Sequence, residues 1–170
     1  LEQFGVGLVP EPYLASIVLG GLALARSGDA EQRARFLPEV LEGTKTLALA
    51  YAEEGYDTHR VSTRAERTAQ GFRIRGNKRW VLNGHAADHL VVVARTAGND
   101  ADPEGVSLFV VDRDAPGLVV TTVRTMDGHR AAMITFDVEV AADRLLGDAG
   151  KALPILERVL DGATAAVCAE

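Results

Sequence analysis

The chain has 170 residues, 47% hydrophobic and 25% charged, with a formal net charge of −6. These values are typical of a globular protein with one core and disfavour disordered and fibrous classes. No nucleic-acid partner is expected, because phosphate binding draws on clustered Lys and Arg, which are scattered here. No membrane span is expected either, since the longest apolar run, residues 13–25, is shorter than the about 20 residues that a span requires.

The cysteine content and the termini bear on location and completeness. Cys168 is the only cysteine, so an intrachain disulfide is impossible and we expect an intracellular, cytoplasmic protein. The chain has no initiator methionine and ends inside an apolar periodic segment, so we expect it to be part of a longer protein.

Helical patterns come first along the chain. Pro12 suits a helix start, and apolar residues recur at helical spacing until Gly28. Asp29 stands three residues before Gln32, a spacing typical of a capping box, so a second helix is expected there. Pro38 should kink or divide that second helix.

The period then changes to that of strands. Short apolar or alternating runs predict strands at residues 47–51, 61–68, 90–94, 106–111, 118–123 and 132–136. Helical spacing returns from Leu153, with Pro154 in the first turn. This order predicts an α+β fold in which a barrel or sandwich lies between helical segments.

The segment from residue 72 to residue 82 is interpreted as a β-hairpin. Phe72, Ile74, Trp80 and Leu82 alternate with mostly basic residues, and Gly76 begins a turn dipeptide. This pattern taken alone places Trp80 in the core, on the buried face of the hairpin.

Two motifs point to a family. Residues 74–84 read IRGNKRWVLNG, after a glycine corner, AEEGYD, at residues 52–57, and residues 126–140 read MDGHRAAMITFDVEV. Both resemble the middle domain of the acyl-CoA dehydrogenases, flavin enzymes that desaturate acyl thioesters, and the resemblance extends over essentially the whole chain. The corner is similar to that of a divergent branch that includes the small subunits of pimeloyl-CoA-type dehydrogenases.

The resemblance implies a domain organisation and a set of partners. Residues 1–43 would end an amino-terminal helical domain, residues 44–147 would form an antiparallel β-barrel middle domain, and residues 148–170 would begin a carboxy-terminal helical domain. FAD would be the cofactor and an acyl-CoA thioester the substrate. The protein would be a homo- or hetero-oligomer, most plausibly a tetramer.

The resemblance also implies roles for five residues. Trp80 would lie against the flavin ring, the backbone at Gly55 would approach the cofactor, and Arg130 would reach the cofactor of a neighbouring subunit. Tyr56 and Asp57 would shape the thioester pocket. Such a site is physically reasonable, because a flavin requires an apolar wall and backbone hydrogen-bond donors.

Some positions depart from the family pattern. Ala52 and Leu82 stand where family members carry hydroxyl residues that face the flavin, and Tyr56 replaces a small residue. Residues 160–164, LDGAT, lack the glutamate and arginine that one branch carries there, so no catalytic base is assigned, and the base is expected beyond Glu170 or missing. A noncatalytic structural subunit of a heteromeric dehydrogenase is therefore the alternative, and a flavin monooxygenase or oxidase of the same fold is a third possibility.

Other constellations are weaker. His85 and His89 form the only close histidine pair and have no accompanying cysteines or HExxH pattern, so no metal site is predicted. Glu53 and Glu54 would point to opposite faces of an extended chain, and we expect a turn and its solvated flank rather than an acid–base pair. No GxSxG or strand-linked GxGxxG motif supports a hydrolase or a Rossmann cofactor site.

Overall fold

The computed structural model describes residues 2–7, 12–55 and 57–169. Its helical segments are α1 (Glu2–Gly7), a π-helical segment (Leu14–Gly21) that continues into α2 (Leu22–Ser27), α3 (Ala30–Leu41) and α4 (Leu153–Ala169). No helix in this described part of the chain is long and apolar enough to cross a membrane.

The start of α3 confirms the predicted capping box. Asp29 Oδ1 accepts a hydrogen bond from the backbone N–H of Gln32 at 2.8 Å, and Gln32 Oε1 accepts one from the backbone N–H of Asp29 at 2.9 Å. These two bonds satisfy N–H groups that a helix start leaves without partners. The helix then continues through Pro38 without a break, so the expected division of the helix at that residue is wrong.

Eight strands in the described residues make one sheet. They are β1 (Leu47–Ala50), β2 (Arg64–Arg67), β3 (Gly71–Leu82), β4 (His89–Arg95), β5 (Val106–Asp112), β6 (Leu118–Arg124), β7 (Arg130–Ala141) and β8 (Leu145–Leu146). Their order is β6-β7-β3-β2-β4-β5-β8, with β1 beside β4. The α+β class is thereby confirmed, and all the strands predicted outside the hairpin are present.

The expected antiparallel barrel is corrected in two respects. Within the described residues the sheet stays open, with β6 and β8 at its ends. It is also mixed, because β1 and β2 both run parallel to β4. The chain leaves β1, forms the corner at residues 52–57, and returns in the same direction as β2.

Two hydrophobic cores lie on either side of β4. Val91 and Val93 face a core shared with the helices, while Leu90 and Val92 face a second core shared with β3 and β7. Burial of both faces explains why β4 reads as a continuous apolar run. The second core lies on one face of β3, so the opposite face of that strand is turned away from it.

The hairpin predicted at residues 72–82 is wrong, because β3 is one unbroken strand of 12 residues. Gly76 has φ +150° and passes so close to Thr63 that an added Cβ would lie 2.7 Å from the Thr63 Cα atom. Glycine is therefore present for a close approach of two backbones, and not for a turn.

A bulge near the end of β3 changes which side chains are buried. Lys78 pairs with Ile134 on β7 and Val81 pairs with Ala132, so two residues of β3 stand opposite one residue of β7. The extra residue reverses the alternation that follows it. Consequently Trp80 is 55% exposed, which corrects its predicted place on a buried face.

Candidate functional site

The corner at residues 52–57 is open around its glycine. Gly55 has φ +98°, which favours glycine, and an added Cβ would meet nothing within 4 Å. Asp57 is exposed, and its carboxylate accepts a hydrogen bond from the backbone N–H of His59 at 3.0 Å. Tyr56 lies outside the described residues.

Trp80 combines exposure with an unusual backbone conformation. Its φ of +53° lies in the left-handed region, which is unfavourable for a bulky side chain. Such a conformation costs on the order of 1–3 kcal/mol and is often found at functional sites. Leu82, two residues further on, is 41% exposed, so an aromatic and an aliphatic side chain both face outward from the end of β3.

The corner and the bulge are in direct contact. The backbone N–H of Arg79 donates a hydrogen bond to the carbonyl oxygen of Ala52 at 2.8 Å. The structure therefore brings together Trp80 and the corner that contains Gly55 and Asp57, as a shared site requires.

Arg130 lies farther along the sheet. It is the exposed first residue of β7, and the next residue, Ala131, pairs with Leu82. Burial lowers the pKa of His85, and the positive charges of Arg130 and Arg113 lower it further. The pairing of Ala131 with Leu82, the last residue of β3, places Arg130 near the turn that follows β3.

A buried ion pair supports the contact between the corner and the bulge. The side chain of Lys78 is fully buried and that of Glu53 is 7% exposed. Lys78 Nζ donates to Glu53 Oε1 at 2.6 Å and to the carbonyl oxygen of Tyr51 at 3.2 Å. Glu53 also accepts hydrogen bonds from the backbone N–H groups of Ser62, at 2.7 Å, and Thr63, at 3.0 Å, and from the Ser62 hydroxyl.

The pKa values of this pair are shifted for different reasons. Burial lowers the pKa of Lys78 to about 8, and attraction to Glu53 offsets only part of that effect. Burial alone would raise the pKa of Glu53, but the charge of Lys78 and the hydrogen bonds from Lys78, Ser62 and Thr63 lower it to about 2. Neutral pH lies between the two values, so both groups are charged there.

The sequence interpretation missed this pair. Glu53 and Glu54 do face opposite ways, as predicted, but only Glu54 is solvated, with 87% of its side chain exposed. A signal was present, because Lys78 continues the inward-facing series of Phe72 and Ile74 at a spacing of two residues. A lysine in that series requires a buried partner.

Two cavities lie away from the corner and the bulge. One, of about 460 Å³, is lined by charged residues that include Lys45 and Arg144, and the other, of about 1080 Å³, is lined by residues that include Phe72 and Lys151. Neither lining includes Trp80 or a described residue of the corner. The outward-facing side chains Trp80 and Leu82 thus offer one wall of a site and not an enclosed pocket.

The histidines do not form a metal site in the described part of the chain. There, no group of three or more His, Cys, Asp or Glu side chains is placed to hold a metal ion. His89 Nδ1 lies 2.8 Å from Asp112 Oδ1, and Arg144 binds both oxygens of the same carboxylate. His89 therefore lies against the Arg144–Asp112 ion pair.

The residues at the corner and the bulge fit a flavin. A planar ring system requires an apolar wall, which Trp80 and Leu82 provide, and close access to backbone, which Gly55 provides. Ala52 offers no side-chain hydroxyl, and its carbonyl oxygen is bonded to Arg79.

Comparisons with known proteins agree with this geometry. Residues 40–138 match the family described as acyl-CoA dehydrogenase, middle domain. The mitochondrial 2-methylacyl-CoA dehydrogenase of Solanum tuberosum is 31% identical over an alignment of 146 residues that covers 81% of this chain and 35% of that protein. The cyclohexane-1-carbonyl-CoA dehydrogenase of Geobacter metallireducens is 32% identical over an alignment of 158 residues that covers 89% of this chain and 41% of that protein.

A similar fold is found among solved protein structures. Butyryl-CoA dehydrogenase from Megasphaera elsdenii superposes with a TM-score of 0.85 at 28% identity, covering 92% of this chain and 42% of that one. The chain thus spans less than half the length of each of these relatives.

Proposed function

Because the chain belongs to the acyl-CoA dehydrogenase family, we propose that the full-length protein is an FAD-dependent dehydrogenase that introduces an α,β double bond into an acyl-CoA thioester. The observation that carries this proposal is Trp80, which is exposed on a strained bulge hydrogen-bonded to the corner. That arrangement supports a site in which an aromatic wall and the glycine corner bind the same cofactor.

Each residue of the site has a separate task in this proposal. Trp80 and Leu82 bind the ring by apolar contact and exclude water from it, while the open backbone at Gly55 admits the cofactor closely. Tyr56 and Asp57 shape the thioester side, and Arg130 reaches towards a neighbouring subunit. Bound FAD would supply the acceptor for the hydride removed from the β carbon. No residue of this chain is proposed as the base.

The proposal extends to the organisation of the protein. Residues 1–43 and 148–170 would belong to helical domains on either side of a middle domain at residues 44–147, in a homo- or hetero-oligomeric protein, most plausibly a tetramer. The open wall at Trp80 supports completion of the site by other segments, so the isolated chain should be inactive. The single Cys168 supports a cytoplasmic location.

The test is anaerobic mixing of the full-length protein, purified with its FAD, with acyl-CoA thioesters of short, long and cyclic acyl groups. Bleaching of the flavin absorption by at least one thioester is expected. A protein with FAD that no thioester bleaches would contradict the proposed reaction. Turnover by the 170-residue chain with FAD alone would contradict the proposed need for other segments.

A noncatalytic structural subunit is the second candidate. It is favoured by Ala52 and Leu82, which leave the site without side-chain hydroxyls at two positions. The two candidates differ in where the flavin is bound within a purified complex. Flavin in contact with Trp80 supports the dehydrogenase, and flavin held entirely by a partner chain supports the structural subunit.

A further inference from the structure

The Glu53 carboxylate joins the corner to the residues that directly precede β2. It accepts hydrogen bonds from Ser62 and Thr63, and from Lys78 on β3. One buried group therefore connects the beginning of the corner, the start of β2 and the strand that carries Trp80.

Lys78 is placed where it can transmit that restraint. It is the last regularly paired residue before the bulge, and its partner on β7 is Ile134. The next residue, Arg79, is bonded through its N–H to Ala52, the residue before Glu53. The backbone bond and the ion pair thus tie two successive residues of β3 to two successive residues of the corner.

A gain in stability is a poor explanation for the buried Glu53–Lys78 pair. A buried ion pair loses hydration on both groups, and its replacement by apolar side chains of similar volume is often neutral or stabilising. The nearby pair of Arg79 with Glu54, at 3.6 Å, joins the same segments but is exposed on both sides. Exposed pairs of this kind restrain little.

We propose that the buried Glu53–Lys78 pair positions Trp80 relative to the corner, so that the cofactor wall and the thioester side of the site keep a fixed relation. This inference rests on the proposed function, since it assigns Trp80 to the flavin. Glu53 and Lys78 are positioning residues, because they act through the corner and the bulge without touching the reacting atoms.

The experiment uses the full-length protein with a double substitution, Glu53→Gln with Lys78→Met. This variant removes both charges together and so leaves no unpaired buried charge. Glu53→Gln with Lys78→Gln, which also removes both charges and keeps polar side chains at both positions, serves as a second variant if the first does not fold. Arg73→Met is the matched control, because it removes an exposed ion pair with Asp137 from the same strand.

The first readout is amide hydrogen exchange without FAD. Exchange at Ser62 and Thr63 should be at least about tenfold faster in the double variant, because their bonds to the charged Glu53 carboxylate are lost. Exchange at Arg79 should also be faster, because its bond to the Ala52 carbonyl oxygen loses the support of the neighbouring ion pair. The control should exchange like the wild type at these positions. Unchanged exchange at all three amides in the double variant would overturn the proposal.

The second readout uses FAD without substrate. Two quantities are measured: the affinity of the protein for FAD and the visible circular dichroism of the bound flavin. The double variant should bind FAD with an altered dichroism spectrum and an affinity at least about tenfold weaker, since a loosened wall must be ordered on binding. Faster exchange with unchanged affinity and dichroism would show a structural role only and overturn the positioning role. A wild-type protein that binds no FAD would instead refute the proposed function, and amide exchange would then decide whether the pair fixes the corner.

Discussion

Two loops of the molecule are each fixed by a buried cation, but in different ways. Lys78 holds the corner through one carboxylate and one carbonyl oxygen. Arg95 is also buried, and its guanidinium donates only to backbone carbonyl oxygens, those of Val61, Ala97, Asp100, Asp102 and Glu104. The loop at residues 96–105 is therefore fixed without a carboxylate in contact with the cation.

The difference follows from the chemistry of the two cations. A planar guanidinium has five N–H donors and spreads its charge, so several neutral acceptors can satisfy it. An ammonium is a compact point charge that loses more hydration energy on burial, and Lys78 has Glu53 as its counter-ion. The stability of the corner should therefore depend on pH and on substitution of either Lys78 or Glu53. The stability of the loop at residues 96–105 should depend on substitution of Arg95 alone.

Replacement of Arg95 should have the largest effect on stability. Arg95→Met removes a donor from five carbonyl oxygens, of which only that of Asp100 keeps another donor within the described residues, the backbone N–H of Val61. We expect the free energy of unfolding to fall by on the order of 5 kcal/mol, with some oxygens rehydrated. Urea unfolding of the full-length protein measures this, with Arg73→Met as the exposed control. A loss no greater than that of the control would show that Arg95 does not hold the loop.

Replacement of Lys78 alone comes next. Lys78→Met leaves the Glu53 charge buried without its partner, and we expect a loss of about 3–5 kcal/mol. Adding Glu53→Gln should restore most of that stability, because the uncompensated charge is removed as well. Losses that simply add in the double variant would contradict coupling between the two side chains.

Alanine substitution at two glycines with positive φ distinguishes the effect of steric contact on stability from that of backbone strain. Gly76→Ala should destabilise by about 1–3 kcal/mol, since the new methyl group would overlap Thr63 in addition to the strain at φ +150°. Gly55→Ala, with open space around it, should lose only about 1 kcal/mol from strain. Equal shifts in the thermal unfolding midpoint would mean that the close approach of β3 to Thr63 is not required.

The acid dependence of stability tests the Glu53 charge in the unaltered sequence. The pKa of Glu53 is lowered from 4.5 to about 2, so the unfolded chain takes up a proton before the folded one as the pH falls. The stability contributed by Glu53 is complete above pH 4.5 and is lost as the pH falls from 4.5 towards about 2. Urea midpoints measured across this range should fall more steeply for the wild type than for Glu53→Gln, and parallel curves would contradict the assignment.

Local signals in the sequence were sufficient for much of the fold. The capping box at Asp29 and the apolar runs of β4 and β5 depend on neighbouring residues only, and the structure confirms them. The parallel course of β1 and β2 beside β4 was not predictable in this way, because it depends on pairing between distant segments.

Prediction of the candidate site from local sequence has the same limit, and its effect is larger there. The alternation of β3 predicts correctly that Phe72 and Ile74 are buried, but it fails for Trp80, because the bulge opposite β7 reverses the alternation. Nothing local to the sequence marks that bulge, since the residue with positive φ is a tryptophan and not a glycine. The family resemblance identified Trp80 as a candidate where periodicity placed it in the core.

The affinity of the full-length protein for FAD, compared between wild type and Trp80→Gly, tests the central claim most directly. Glycine relieves the strain at φ +53°, so thermal stability should be unchanged or slightly higher. FAD binding should be at least about tenfold weaker, because aromatic contact and the buried area of the ring together contribute about 1.5–3 kcal/mol. Equal affinity for FAD in a stably folded variant would contradict the assignment of Trp80 as the flavin wall.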